Sequence, residues 1–564
     1  MDALNRGRNS LIAASALLLY AILYYSLIYR YGLNLADEGS VALISQRLMH
    51  GELPFRDVST GYNVLWFYPI STLFRVFGTH LLLMRAYFYA ISTGSGVIAF
   101  FLLRRLDAPL WLAFTQGLIV ISINGQYFKA YIPFLVLSHL FTITLFLTSQ
   151  RKPLLSLSAG ILLGTTFLIR IDIGIFFSVV WFCVILLHAI LLHRQIRKNL
   201  VLVGNLLLGV AVMHLPFLYD AYHRHFLRQF ADQYPKVASL ILASVLPHSP
   251  QKVIESHEQT AFAHGPTSTT TIDEKSPGNM DSPASLLRRR AFREIFSKSH
   301  TLEKRLLAFL TYIPPLLICA LFFAGLYLRV SKRFELDRWL LFSALLGGSL
   351  TVFPQFFLFR PDLPHLIGFM SGGLVALTCA GWLLWSSQGK GRLSTALFAA
   401  IALVTICYLL LTVPNQYGGT IAIRMNRDTN FRGANGVDVF LTKAEFEDVN
   451  TLFSTTIWNS TKKDYVVCYP YLPGVNFITA RPTFQNNLYI DNVTQSQDWQ
   501  QIEIAKIQKF RPAVVVLDDW AINGTDDSRF SHWATELTKF IESRYRLVAS
   551  VNNRRIFALL TPGM

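Results

Sequence analysis

Two adjacent carboxylates, Asp37-Glu38, follow a long apolar stretch, and two Arg-x-Asp groups, Arg170-Ile-Asp172 and Arg360-Pro-Asp362, lie between other such stretches. His365 stands just behind the second, and Lys129 occupies a further apolar-to-apolar junction. A carboxylate can take the proton of an attacking hydroxyl group. A guanidinium grips phosphate through two parallel hydrogen bonds. A plainer reading competes: Arg and Asp at helix ends also snorkel and pair at a membrane surface, and an acidic pair in a loop can simply be solvated. What separates the readings is whether these distant groups share one face.

The elements that would position them are predominantly apolar. The 564 residues are 52% hydrophobic, 15% charged and have a mean hydropathy of +0.39, where a soluble chain carries about 25% charged residues. The net charge of +17 comes largely from Lys and Arg at the ends of apolar segments, as membrane anchors sit, which argues against a nucleic-acid partner. Segments at 10–29, 80–103, 109–125, 130–149, 153–170, 173–193, 199–218, 306–328, 338–358, 365–386 and 394–413 predict eleven spans. The first lacks a small-x-small cleavage site and reads as a span, not a removed leader. Segment 62–77, interrupted by Pro69 and Arg75, reads as an interfacial amphipathic helix.

With the N-terminus cytoplasmic, every inner connection is short and basic: Arg104-Arg105, Arg151-Lys152, Arg194 to Lys198, Lys332-Arg333, and Lys390 to Arg392. That is the pattern of the positive-inside rule. The outer parts are then 30–79, the turns near 126, 171 and 361, the loop 219–305, and all that follows 414. The loop ends on Arg288-Arg289-Arg290, but long loops translocate regardless of charge. Its centre, 248–286, is rich in Ser, Thr, Pro and His and reads as loosely ordered. All three charged groups thus fall on the outer side of what would be a bacterial inner membrane.

Residues 1–413 form the transmembrane domain on this reading, and 414–564 a periplasmic α/β domain. In the latter, Thr442-Lys-Ala-Glu445 is a capping box opening a helix. YVVCYP, NFIT, AVVVLDD, RLVASV and RIFALL read as strands, and 498–509 and 529–543 as helices. Alternation of this kind predicts a small α/β sandwich. Asp518-Asp519 reads as a surface turn after its strand, and Pro470-Tyr-Leu-Pro473 as a strand-end turn. The five cysteines lack paired spacing, so neither a disulfide framework nor a zinc site is indicated.

Beyond the cytoplasm neither ATP nor sugar nucleotides are at hand, whereas a polyprenyl phosphate keeps an activated sugar at the interface. Asp37 or Glu38 would serve as base, and Arg170, Arg360, His365 and Lys129 would stabilise the departing phosphate; direct displacement would invert the anomeric carbon. The Asp-Glu pair, followed by Arg47-Leu-Met-His-Gly-Glu-Leu-Pro-Phe-Arg-Asp57 and Gly61-Tyr-Asn-Val-Leu65, resembles integral membrane glycosyltransferases of the GT-C class. The nearest in kind are the bacterial protein O-mannosyltransferase-like and lipid A aminoarabinose transferase-like enzymes.

The resemblance implies a mainly α, polytopic helix bundle in which 40–50 and 62–77 are interfacial helices of the first outer loop. It implies Asp37 as base with Glu38 in support. Arg56, Asp57, Lys129, Arg170, Asp172, Arg360, Asp362 and His365 would bind phosphate or sugar. The donor would be a polyprenyl-phosphate-sugar, and the acceptor a lipid, a polysaccharide or a protein. No cofactor is required and no metal ligands are assigned, although members of the class differ in whether they bind a divalent cation. Two rivals remain: a lipid or sugar transporter, which would favour internal duplication and mid-span charges, and a non-enzymatic scaffold for the outer domain.

Overall fold

The computed structural model describes residues 2–123, 125–191, 196–245, 302–350, 363–387, 391–414, 421–492, 495–496, 498–522 and 526–560. After α1 (Asp2–Ser26) comes a loop carrying α2 (Asp37–Met49) and α3 (Tyr68–Phe77). Next are α4 (Leu81–Arg105), α5 (Leu110–Ser122), α6 (Tyr131–Thr148), α7 (Lys152–Ile169), α8 (Ile171–Leu191) and α9 (Ile196–His223). Then α10 (Leu227–Val245) precedes α11 (Leu302–Val330), α12 (Leu336–Leu350), α13 (Leu363–Ser387) and α14 (Arg392–Thr412).

Every predicted span holds a helix, and nine among the described residues are long and apolar enough to cross a membrane. The two shorter ones are α5, with 13 residues, and α12, with 15; the end of the predicted span 338–358 lies outside the described residues. Leu11, Ile22, Phe182, Leu207 and Phe323 are each more than 60% exposed, a cost in water that vanishes against lipid tails. This is a multi-pass integral membrane protein. Helices α7 and α9 approach closely because Gly160, Gly164 and Gly209 face each other's backbones: a Cβ on Gly160 would stand 2.1 Å from the Leu206 carbonyl oxygen. Small residues let helices meet where hydrophobicity cannot drive them together.

The bundle has two chemically distinct ends. At one, Arg104 donates to Ser10 (3.3 Å), Arg105 to Thr148 (3.0 Å), Trp382 to the Leu106 carbonyl (2.9 Å) and Arg338 to Ser387 (3.2 Å). These are the basic connections. At the other, Tyr24 donates to the Ser122 carbonyl (2.9 Å), Tyr408 to that of Ile367 (2.8 Å), and the Asn63 N–H to that of Ile169 (3.2 Å). The loop between α1 and α4 and the turns after α5 and α7 gather there.

The C-terminal part carries a two-stranded ribbon, β1 (Thr429–Arg432) and β2 (Asp438–Leu441), then α15 (Lys443–Trp458) and β3 (Val466–Tyr469). There follow α16 (Pro473–Thr479), α17 (Trp499–Phe510), β4 (Val514–Asp518), α18 (Phe530–Trp533), α19 (Thr535–Arg544), β5 (Tyr545–Val551) and β6 (Arg554–Leu559). The sheet order is β3-β4-β6-β5, with β3 and β4 parallel and the other pairs antiparallel. Alternate residues of β3 and β4 enter different cores. Val467, Tyr469, Val515 and Leu517 pack with α17 to α19, while Val466, Cys468, Val514 and Val516 join the core continuous with the membrane bundle. That is the period-2 alternation of a sheet covered on both faces.

Several sequence expectations are corrected. NFIT is not a strand but the end of α16, because Pro473 at its first turn opens a helix. The helix expected at 529–543 is broken at Ala534 into α18 and α19. The loop expected at 219–305 begins with the end of α9 and the 19-residue amphipathic α10, whose Phe230 and Tyr234 pack beside Leu53, Val64 and Leu168; residues 246–301 lie outside the described ones. Asp518 is not in a surface turn: it closes β4, 7% exposed, 3.1 Å from Arg554.

Candidate active site

Asp37 and Glu38 open α2, and Asn34 sets the opening. Its side-chain oxygen accepts from the backbone N–H groups of Ala36 (2.9 Å) and Asp37 (3.0 Å), the local bond that makes Asn a turn former. The two acids then diverge. Glu38 forms a two-point ion pair with Arg85 (2.7 and 3.0 Å), both side chains 2% exposed. Arg85 also donates to the carbonyls of Tyr29 (2.8 Å) and Gly32 (2.7 Å), and Glu38 accepts from the Asn34 N–H (3.0 Å) and from Tyr127. The pair pins the loop between α1 and α4 to α4, and its hydrogen bonds compensate the desolvation that makes buried charge costly.

Asp37 is half-buried, and no cation among the described residues reaches it. Its partners are neutral: Tyr471 donates to Oδ1 (3.0 Å), and Gln126 Nε2 stands 3.5 Å from Oδ2. Enclosure and the neighbouring negative charge of Asp37 push the Tyr471 phenol well above its ordinary range, so it stays a donor. Tyr471 belongs to the segment expected to be only a strand-end turn, and its role could not be read locally.

The second charged group lies beside the first. Arg170 closes on Asp172 through two hydrogen bonds (3.0 and 2.6 Å) and sits 5.4 Å from the Tyr62 ring, which stacks on Trp66 at 3.8 Å. The Tyr62 phenol is pushed up to about 12, first by burial; Arg170 pulls it down, while Asp37 and Asp172 push it up. Tyr62 therefore lies within electrostatic reach of both groups. Lys129 is buried, 6% exposed, at the end of the short turn Tyr127–Lys129. Arg360 and Asp362 lie outside the described residues, and of His365 only the backbone is described, in the first turn of α13. That end of α13 abuts the Gln126 turn: a Cβ on Gly125 would stand 3.1 Å from the Gly368 Cα.

Arg56 and Asp57 belong to another network. They pair with each other (2.9 Å), Asp57 accepts from the Leu53 N–H, and Asn486 donates to the Arg56 carbonyl (2.7 Å). The Arg56 guanidinium holds the Asp57 carboxyl below its ordinary value. Through Asn486 they tie the loop between α1 and α4 to the C-terminal part, as does Arg47, which donates to Glu52, the Asp57 carbonyl and the Gln485 carbonyl (2.6 Å).

The C-terminal part is sewn onto the same loop by backbone. Phe440 pairs with Tyr31, the Gly474 N–H donates to the Leu35 carbonyl (2.7 Å), and the Ser59 N–H to that of Asn486 (2.8 Å). Gly39 of α2 and Gly474 of α16 touch so closely that a Cβ on Gly39 would lie 2.4 Å from the Gly474 N and Cα. Between the two parts is a cavity of about 480 Å³. Its wall includes Glu38, Arg85, Gln126 and Tyr471, together with Asp448, Asp518 and Arg554. Asp37 does not line it; the cavity shares with Asp37 the two residues that bond to it. Among the described residues no group of three His, Cys, Asp or Glu converges on a metal position.

No family model and no curated protein matches the chain. Solved structures similar to it include ArnT from Cupriavidus metallidurans in the apo state, 12% identical, covering 97% of each chain at a TM-score of 0.48. ArnT bound to undecaprenyl phosphate is 12% identical at 0.47, covering 97% of this chain and 98% of that one. The Archaeoglobus fulgidus oligosaccharyltransferase in complex with zinc and sulfate is 12% identical at 0.48, covering 96% of this chain and 73% of that one. These neighbours are GT-C glycosyltransferases.

Proposed function

We propose that this chain is an inverting glycosyltransferase that moves a sugar from a polyprenyl-phosphate-linked donor to an acceptor hydroxyl on the outer, periplasmic face of a bacterial inner membrane. The observation that carries the reading is the unequal state of the acids at this end. Glu38, Asp57 and Asp172 are each paired with an arginine, whereas Asp37 takes only neutral donors among the described residues. A base must be within reach of the proton it takes, and Asp37 is half-buried with neutral partners alone among the described residues.

Asp37 takes the proton of the acceptor hydroxyl as that oxygen attacks the anomeric carbon. The bond from that carbon to the phosphate oxygen breaks, its electron pair leaves with the phosphate, and the free polyprenyl phosphate departs from the opposite face. Arg170, oriented by Asp172, binds the phosphate together with Lys129, Arg360 and His365, and the stacked Tyr62 and Trp66 offer a ring face to the sugar. Glu38 acts through Arg85 by fixing the start of α2.

The test is complementation of a deletion strain, reading the accumulated lipid-linked sugar by mass spectrometry. Asp37→Asn is expected to retain donor binding and to slow transfer about 10²–10⁴-fold, the usual worth of a general base. Full restoration of transfer by Asp37→Asn would overturn the assignment and favour a transporter.

A further inference from the structure

The cavity between the first outer loop and the C-terminal part has a polar inventory unlike that of a phosphate site. Each of its guanidiniums is already engaged: Arg85 by Glu38 (2.7 Å), Arg427 by Glu445 (2.6 Å), and Arg554 by Asp448 and by Asp518 (3.1 Å). Among its buried side-chain atoms two acceptors are left over: Asp448 Oδ1 and Gln126 Oε1 have no hydrogen-bond partner among the described residues. A buried acceptor without a donor is costly, and ligand hydroxyls would supply the donors. Phosphate oxygens would instead bring acceptors and negative charge to a wall holding four carboxylates, Glu38, Glu445, Asp448 and Asp518, against three arginines.

The wall also holds Trp520, which is 37% exposed, whereas Tyr31 is already stacked on Phe440 at 5.3 Å. An aromatic ring with hydroxyl-seeking acceptors, in about 480 Å³, matches a sugar unit within the roughly 300–1,000 Å³ typical of small-molecule sites. Gln126 and Tyr471 both line the cavity and both meet Asp37. An occupant would therefore lie one side chain away from the carboxylate.

We propose that this cavity binds a phosphate-free saccharide, the sugar end of the acceptor, and that the C-terminal part supplies its specificity through Asp448 and Trp520. The proposal rests on the glycosyltransferase reading for the word acceptor, but not for the binding itself.

The experiment uses the full chain in lipid nanodiscs. Saturation-transfer NMR is run with methyl mannoside, methyl galactoside, methyl glucoside and trehalose, and undecaprenyl phosphate binding is measured separately. At least one saccharide is expected to bind. Trp520→Ala, which removes a ring, and Asn553→Trp, which fills the cavity, should each weaken that binding about tenfold, the ratio for losing one aromatic platform. Undecaprenyl phosphate binding should stay within about twofold of the unaltered chain.

Absence of any saccharide signal from the unaltered chain would overturn the proposal, as would undiminished binding by both variants. Loss of undecaprenyl phosphate binding with saccharide binding intact would reassign the cavity to the donor. If undecaprenyl phosphate fails to bind the unaltered chain while saccharide binding remains sensitive to both variants, the donor reading falls and the saccharide site stands.

Discussion

Gly39→Ala sets helix propensity against packing, and the structure says which wins. Gly39 lies within the first turn of α2, where alanine would favour a helix by about 1 kcal/mol. The added Cβ, however, would lie 2.4 Å from the N and Cα of Gly474. Ordinary contact begins near 3.4 Å, so α16 must retreat by about 1 Å. Both opposing atoms are backbone, which cannot swing aside as a side-chain tip can.

Tyr471 lies just before α16 and holds Asp37 at 3.0 Å; a shift of about 1 Å carries that pair out of hydrogen-bonding range. Overpacking of this kind costs about 1–3 kcal/mol, which outweighs the helix gain. Misplacement by about 1 Å near a reacting group can cost about 10²-fold in rate. Thermal unfolding in detergent and the transfer rate are measured for Gly39→Ala and for Gly204→Ala, whose Cβ would meet nothing within 4 Å. The expected result is a less stable, slower Gly39→Ala beside a Gly204→Ala that is neutral or slightly more stable. If Gly39→Ala matches the unaltered chain in both stability and rate, the claim that this backbone contact positions Asp37 is wrong.

Glu38→Gln should lower stability by about 3–5 kcal/mol, because it strands the buried Arg85 charge; joint replacement of Glu38 and Arg85 by apolar residues should recover much of that loss in a melting assay. A Glu38→Gln protein as stable as the unaltered chain but nearly inactive would make Glu38 part of the chemistry instead. Glu445 gives a pH dependence. Burial alone would raise its carboxyl, but the Arg427 hydrogen bonds and the Thr442 N–H outweigh it and hold the group below its ordinary 4.5. Its ionised form is therefore favoured on folding, so this contribution is present above pH 4.5 and disappears as pH falls through the lower folded value. Melting temperatures should drop on acidification through that window, and Glu445→Gln should flatten the drop; an unchanged acid profile would contradict the sign.

Much of the architecture was legible in the chain because lipid imposes a simple rule. About 20 apolar residues in a row must become a helix, since no water is present to satisfy a bare backbone. The apolar helices in all eleven predicted segments, nine of them span-length among the described residues, and the capping box at Thr442 follow from period, length and local side-chain chemistry. The exceptions are also local in cause: Pro473 at a helix start turned NFIT from an expected strand into α16.

Asp37 was readable as a candidate because it follows the first span, and Arg170 with Asp172 because they sit at a span end. Which acid is held and which is available could not be read, since Asp37 and Glu38 are neighbours of the same chemical type. Tertiary contact separated them: Arg85, from 47 residues further on, took Glu38, and Tyr471, 434 residues away, met Asp37. The saccharide-sized cavity is of the same kind, built where α15, the end of β4, the β5–β6 turn and the loop after α1 close on one another. Periodicity reports what a residue's neighbours along the helix or strand require; it carries no information on which distant side chain will satisfy a buried charge. That is settled only when the C-terminal part docks on the loop between α1 and α4.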